Sequence, residues 1–275
     1  MKKHYENGVH DITNQSYHSS AGISRSMLMD FKRSPHHYWY NHVSGAAQKE
    51  EPTPAMNLGN AVHTLVLEPG MWNEDFFVIK QLTRPRKDTA PWQKILDEAD
   101  GRIILTPDES VKASCMANSV LTHPYAQELL QDCKVEQSIY FQHKGTGLQC
   151  KARPDAWFNN VVIDLKTNAD GSYKAFQAAC MNYGYFIQSA VIKQALESVG
   201  NELDEFIFIG VEKEPPYCVS IYNLSQEGLE YGEKMFNDLM LGIAHCINSN
   251  NWPGYAVKEI LPPKWAAYDD ELEID

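Results

Sequence analysis

No apolar run reaches the roughly 18 residues that a membrane-spanning helix needs, and the opening Met1-Lys2-Lys3-His4-Tyr5-Glu6 leads into polar sequence in place of an apolar signal core. The expectation is a soluble, intracellular protein. Paired-cysteine spacing is also missing. Cys115, Cys133, Cys150, Cys180, Cys218 and Cys246 stand apart with no C-x-x-C among them, which argues against a structural zinc or iron–sulfur site and for reduced, buried thiols. Positive charge is scarce, with 24 Lys and Arg against 36 Asp and Glu and a formal net charge of -12, a poor balance for a surface that grips nucleic acid everywhere. Part of the excess is local, in the tail Asp269-Asp270-Glu271-Leu272-Glu273-Ile274-Asp275. The basic residues meanwhile group as Arg25, Lys32 and Arg33, as Arg84, Arg86 and Lys87, and as Lys144, Lys151 and Arg153, so a basic groove on an acidic body stays open. Repeats and low-complexity segments are absent.

What is present is enough apolar sequence, 43% of 275 residues, for one substantial core. A single domain over residues 1–275 is expected, with an N-terminal arm (about 1–20) and an acidic C-terminal tail (about 266–275). Asn159-Asn160 separates two apolar runs, residues 148–158 and 161–166, and adjacent Asn residues suit a two-residue turn between strands. Counting outward from a Phe158–Val161 pair sets Asp155 opposite Asp164. Opposed carboxylates repel unless a cation lies between them. Lys166, two residues on, projects from the same face as Asp164.

The elements follow from pattern. Residues 1–20 show little periodicity and read as an extended arm. Ser24 caps a short helix that stops before Pro35. Residues 44–53 form a polar loop, and a helix after Pro54 carries Gly59 and His63, the glycine allowing close approach one turn before the histidine. Residues 80–90 read as a basic exposed loop. Thr106-Pro107-Asp108-Glu109 is a capping box that starts a helix, and His123-Pro124 starts another. Strands are expected over 135–142, 148–158 and 161–166, helices over 173–180 and 185–197 broken at Gly184, strands over 206–211 and 218–222, and a last helix over 226–247. The order predicts an α/β fold with a mixed central sheet flanked by helices.

Several polar residues on these elements carry chemistry. Asp155 and Asp164-x-Lys166 fit a site where carboxylates hold Mg²⁺ and a lysine serves a water, although an exposed hairpin with a cross-strand ion pair fits the same residues. Glu136 opens the preceding strand and is either a further carboxylate of that site or a surface residue. His63 is either a ligand or a hydrogen-bonded core side chain. Gln188 on an apolar helix could contact DNA phosphate, hold Lys166, or be a satisfied buried amide. Ser24, Arg25 and Ser26 could receive an anion at a helix N-terminus, or cap that helix beside an exposed Arg25.

Taken together, Gly22-Ile23-Ser24-Arg25-Ser26-Met27-Leu28 with Ser34-Pro35-His36-His37-Tyr38, Leu58-Gly59-Asn60-Ala61-Val62-His63, Glu136-Gln137-Ser138, Lys151-Ala152-Arg153-Pro154-Asp155 and Asp164-Leu165-Lys166-Thr167 resemble the PD-(D/E)XK nuclease superfamily. The likeness is to the RecE (exonuclease VIII) type and its phage relatives. It implies the restriction-endonuclease-like core and a Mg²⁺-dependent exonuclease, with Mn²⁺ as an alternative ion. Such an enzyme degrades linear double-stranded DNA 5′ to 3′ and leaves 3′ single strands for recombination. By resemblance, His63, Glu136, Asp155, Asp164 and the Leu165 carbonyl surround the ion, Lys166 serves the attacking water, and Gln188 assists. Ser24, Arg25, Ser26, Arg153 and Gln188 meet DNA. The resemblance further implies double-stranded DNA ends as substrate, a RecT-like single-strand annealing partner, a homo-oligomeric ring whose lumen alone need be basic, no membrane, and the cytoplasm of a bacterial or phage-infected cell. The wider RecB-like group carries Gln-x-x-x-Tyr, whereas Gln188 is followed at that spacing by Ile192. A RecB-like or Cas4-like nuclease of other polarity, and a non-catalytic recombination scaffold, are the competing expectations.

Overall fold

A computed structural model describes residues 3–48 and 51–262, so the acidic tail lies outside the described residues. The chain begins with β1 (Gly8–His10), α1 (Asn14–Ser19), α2 (Arg25–Arg33) and α3 (Pro35–Tyr38), then a π-helical turn over Trp39–Val43. Next come α4 (Pro54–Leu67), α5 (Trp72–Asp75), β2 (Phe76–Val78), α6 (Ala90–Ala99), β3 (Ile103–Leu105), α7 (Pro107–Thr122) and α8 (Pro124–Leu130). Strands β4 (Lys134–Val135), β5 (Ser138–Gln142), β6 (Gln149–Ala152), β7 (Ala156–Phe158) and β8 (Val161–Asn168) follow. The chain then runs through α9 (Tyr173–Tyr183), α10 (Tyr185–Ser198), β9 (Glu205–Glu212), β10 (Val219–Asn223) and α11 (Gln226–Ser249).

The central sheet has the order β10-β9-β8-β7-β4. Only β8 and β9 are parallel neighbours in it, and the helices α9 and α10 supply the crossover that a parallel pair needs. The sheet is therefore mixed and flanked by helices, as the order of elements predicts. Its two faces are covered by separate apolar clusters. Trp157, Val162, Phe206 and Phe208 pack with Leu28, Ala190, Val191, Met240 and Ile243 on one side. Ala156, Ile163, Leu165, Ile209 and Val211 pack with Leu58, Val62, Met116 and Val120 on the other. A strand buried on both faces reads as a continuous apolar run, so Asp164 and Lys166 are the anomalies in β8, and Asp164 is 0% exposed.

Two predicted strands are each broken, and both breaks fall beside the hairpin. Residues 135–142 divide at Glu136-Gln137 into β4 and β5, and residues 148–158 divide at Arg153-Pro154-Asp155 into β6 and β7. Glu136 has φ +49, which no strand residue adopts, and Pro154 has no N–H for a ladder. Beyond the breaks, β5 and β6 turn away into a three-stranded sheet of order β1-β5-β6. The supposed N-terminal arm belongs to that sheet: Val9 pairs with Ile139, and Thr13 caps α1. Its partners lie over a hundred residues away in the chain, so local periodicity carried no sign of them.

Other differences are local. Ser24 stands at the start of α2, but its hydroxyl meets Ser26 Oγ at 3.0 Å and caps no backbone N–H. The basic loop is partly internal, because Arg84 grips Glu109 at 2.8 and 2.6 Å and the Ile104 carbonyl at 2.7 Å. A Cβ at Gly59 would meet Thr167 Oγ1 at an ordinary 3.6 Å, so close approach does not explain that glycine. Gly184 does answer to its expectation: φ +69 ends α9 and starts α10.

The tightest helix contact is between α10 and α11. A Cβ on Gly232 would lie 2.0 Å from the Phe186 carbonyl oxygen, a backbone atom that no rotamer change can move. Gly232→Ala should therefore force the two helices apart and cost about 3 kcal/mol, read as a fall in the urea midpoint with an unchanged slope.

Candidate metal centre

The hairpin forms as its turn residues dictate. Asn159 takes φ +50, Phe158 faces Val161, and Ala156 faces Ile163 at the last ladder pair. Asp155 lies one residue beyond that pair and so comes opposite Asp164. It does not complete a backbone rung there. Its Oδ2 instead accepts the Leu165 N–H at 2.8 Å. The amide and carbonyl of one strand residue face the same edge, so the Leu165 carbonyl opens on the side of Asp155.

Three segments converge on Asp155. His63 from α4 brings Nδ1 to 3.6 Å of Asp155 Oδ2. Glu136 donates its backbone N–H to the Asp155 carbonyl at 3.0 Å. One donor atom from each of His63, Glu136 and Asp155 lies within 4.8 Å of the others, the one such group of His, Cys, Asp or Glu among the described residues. Asp164 is adjacent but outside this trio. Gln188 Nε2 donates to its Oδ1 at 2.6 Å, and Lys166 Nζ pairs with its Oδ2.

The electrostatics show a shortage of positive charge. Burial pushes the Glu136 carboxyl up to about 7, the neighbouring Asp155 adds to the rise, and Arg153 opposes it. Burial likewise pushes Asp164 up to about 6, with Lys166 opposing and Asp155 adding to the rise. A cation among these groups would relieve both. Two carboxylates, one imidazole and a carbonyl suit a hard divalent ion such as Mg²⁺ or Mn²⁺, so the residues fit the metal that the sequence suggests.

The remaining expected residues are placed as follows. Gln188 holds Asp164 directly and not Lys166, and its Oε1 is buried without a hydrogen-bond partner among the described residues. Arg25 makes no hydrogen bond or ion pair among the described residues, and its charge acts on both Tyr17 and Tyr185. Ser24 and Arg25 stand at the start of α2. Arg153 does not face outward as a DNA contact would: its guanidinium is turned inward onto Glu136, Ser138 and Ile12. Ile192 fills the core at 2% exposure. The aromatic neighbour of the site is Tyr185, whose ring lies 4.9 Å from Lys166 Nζ. Sequence reasoning missed it by looking four residues after Gln188, when three residues before lies on the same helical face.

A model of the family described as "PDDEXK-like domain of unknown function (DUF3799)" matches residues 24–259. No curated protein matches the sequence. A crystal structure from Eubacterium rectale named "Putative exonuclease" is similar over 92% of this chain and 97% of its own, with TM-score 0.65 and 16% identity, a likeness of fold. A phage related exonuclease from Haemophilus somnus 129PT aligns over 62% of this chain and 92% of its own, with TM-score 0.33 and 9% identity.

Proposed function

This chain belongs to the PDDEXK-like DUF3799 family, and from that premise we propose that it is a Mg²⁺-dependent deoxyribonuclease that degrades linear double-stranded DNA from its 5′ end. The observation that carries the reading is the His63–Glu136–Asp155 cluster beside a buried Asp164–Lys166 pair. His63, Glu136, Asp155 and the Leu165 carbonyl would hold the ion, with Asp164 next to it. When bound, a divalent ion polarises the scissile phosphate and eases deprotonation of a water. Lys166 Nζ, steadied by Asp164 and the Tyr185 ring, would orient that water and hold its charge. Gln188 keeps Asp164 turned toward Lys166.

End selectivity would come from α2. Its first N–H groups, the Ser24 and Ser26 hydroxyls and the Arg25 guanidinium offer donors for a 5′-phosphate. With 36 acidic against 24 basic residues, DNA would meet a local basic rim, and a ring of subunits would enclose it.

The test compares end-labelled linear duplex with closed circular DNA, with Mg²⁺ or EDTA. Mg²⁺-dependent loss of linear DNA alone is expected. Cutting of closed circles would make the protein an endonuclease, and DNA binding without cleavage a scaffold. On linear DNA, Arg25→Ala should raise KM for 5′-phosphorylated ends roughly tenfold and leave 5′-hydroxyl ends unchanged. An equal effect on both ends would remove Arg25 from end recognition.

A further inference from the structure

Arg153 links the metal cluster to the N-terminal segment. Its side chain is 9% exposed, and three acceptors from two separate segments surround it. Nε donates to Glu136 Oε2 at 2.6 Å, while Nη1 donates to Ser138 Oγ at 2.7 Å and to the Ile12 carbonyl at 2.9 Å. The Tyr17 ring covers it from 5.8 Å. Glu136 needs such a tether. Its left-handed backbone, φ +49, is unfavourable for a residue with a Cβ, and no regular strand fixes where its side chain aims.

We propose that Arg153 is a positioning residue of the metal centre: it aims the Glu136 carboxylate at His63 and Asp155, and residues 12–20 hold Arg153 in place. This rests on reading the cluster as a metal site.

The neighbouring cation on β6 supports the arrangement. Lys151, two residues earlier and on the same face, sends Nζ to the Tyr17 carbonyl at 2.7 Å and to the Ser20 carbonyl at 2.9 Å. It also meets the Ser20 hydroxyl at 3.2 Å. The segment between β1 and α2 is thus fastened across β6 by two buried cations, one of which also grips a proposed ligand. A guanidinium presents its donors in a rigid planar fork that spans Glu136 and the Ser138–Ile12 side together, a geometry an ammonium cannot copy. Sequence alone groups Arg153 with Lys144 and Lys151 as basic surface, but the structure turns Lys151 and Arg153 inward and leaves only Lys144 of the three exposed.

The full chain is titrated with Mn²⁺ by calorimetry as wild type, Arg153→Lys, Arg153→Gln and Lys151→Met, alongside thermal unfolding and steady-state cleavage of linear duplex. Arg153→Gln should weaken Mn²⁺ binding about 10- to 100-fold, the usual cost of losing a group that orients a ligand. Arg153→Lys should recover little of this, and Lys151→Met should show a smaller loss of the same sign. At saturating Mn²⁺, KM for DNA should stay near wild type. Unchanged Mn²⁺ affinity with raised KM and a shallower salt dependence would make Arg153 a phosphate contact and overturn the proposal. Unchanged affinity with lowered melting temperature alone would make it merely structural and also overturn it. If Arg153→Gln does not fold, Arg153→Lys decides by the same readings. Absence of Mn²⁺ binding in the wild type would instead sink the metal reading itself, and the proposal with it.

Discussion

Lys166→Ala and Asp155→Ala should each lower Mg²⁺-dependent cleavage of linear duplex roughly a thousandfold, for different physical reasons. Asp155 faces His63 and accepts the Leu165 N–H. Alanine there removes one proposed ligand and also leaves a backbone donor without its acceptor. Asp155→Asn separates the two effects, since an amide oxygen can still accept from Leu165 while the charge is gone. It should fold like wild type and still be inactive. Lys166→Ala leaves the metal trio intact but strips the buried Asp164 of its cation, so Asp164 should take up a proton. Mn²⁺ binding should therefore survive in Lys166→Ala and fail in Asp155→Ala. Single-turnover cleavage and calorimetry on the same preparations check this. Full activity in Asp155→Asn would remove Asp155 from the centre.

The hairpin was legible because its information is local. Asn159-Asn160 fixes the turn, and register counting then sets Asp155 against Asp164 with no knowledge of the rest of the chain. The capping box at Thr106 and the break at Gly184 were legible for the same reason: each is a few adjacent residues with one backbone answer. His63 could be placed on a helix, but nothing local could say that α4 would lie across the hairpin. Glu136 reads as a strand residue because Val135 to Gln142 looks continuous in sequence. Its positive φ is imposed by the crossing between two sheets, which is a tertiary fact. The same holds for β2 and β3, three residues each and paired in parallel, too short for any periodicity to show. The inward hydrogen bonds of Arg153 were not legible because its partners, Ile12 and Ser138, come from an edge that only the fold assembles.

Mg²⁺ should stabilise this protein more as pH rises. Glu136 and Asp164 both titrate higher in the fold than the ordinary carboxylate range, at about 7 and about 6, chiefly because burial disfavours their charged forms. The metal-free fold therefore binds protons more tightly than the unfolded chain does. The stability drawn from those protons is fully present below the ordinary range, near pH 4, and is lost as pH rises through 6 and then 7. A divalent ion binds the ionised forms and opposes that loss. Metal-free melting temperature should fall between pH 5 and 8 and the Mg²⁺-induced increment should grow across the same window, about one unit either side of the two titrations. With Glu136 titrating at about 7, only a few per cent is ionised at pH ~5.5, so apparent Mn²⁺ affinity there should be roughly thirtyfold weaker than above pH ~8. Glu136→Gln removes the higher-titrating group, so the remaining pH dependence should shift toward about 6, where Asp164 titrates. A metal increment that is flat from pH 5.5 to 8 would mean that the ion, if bound, sits away from these buried carboxylates.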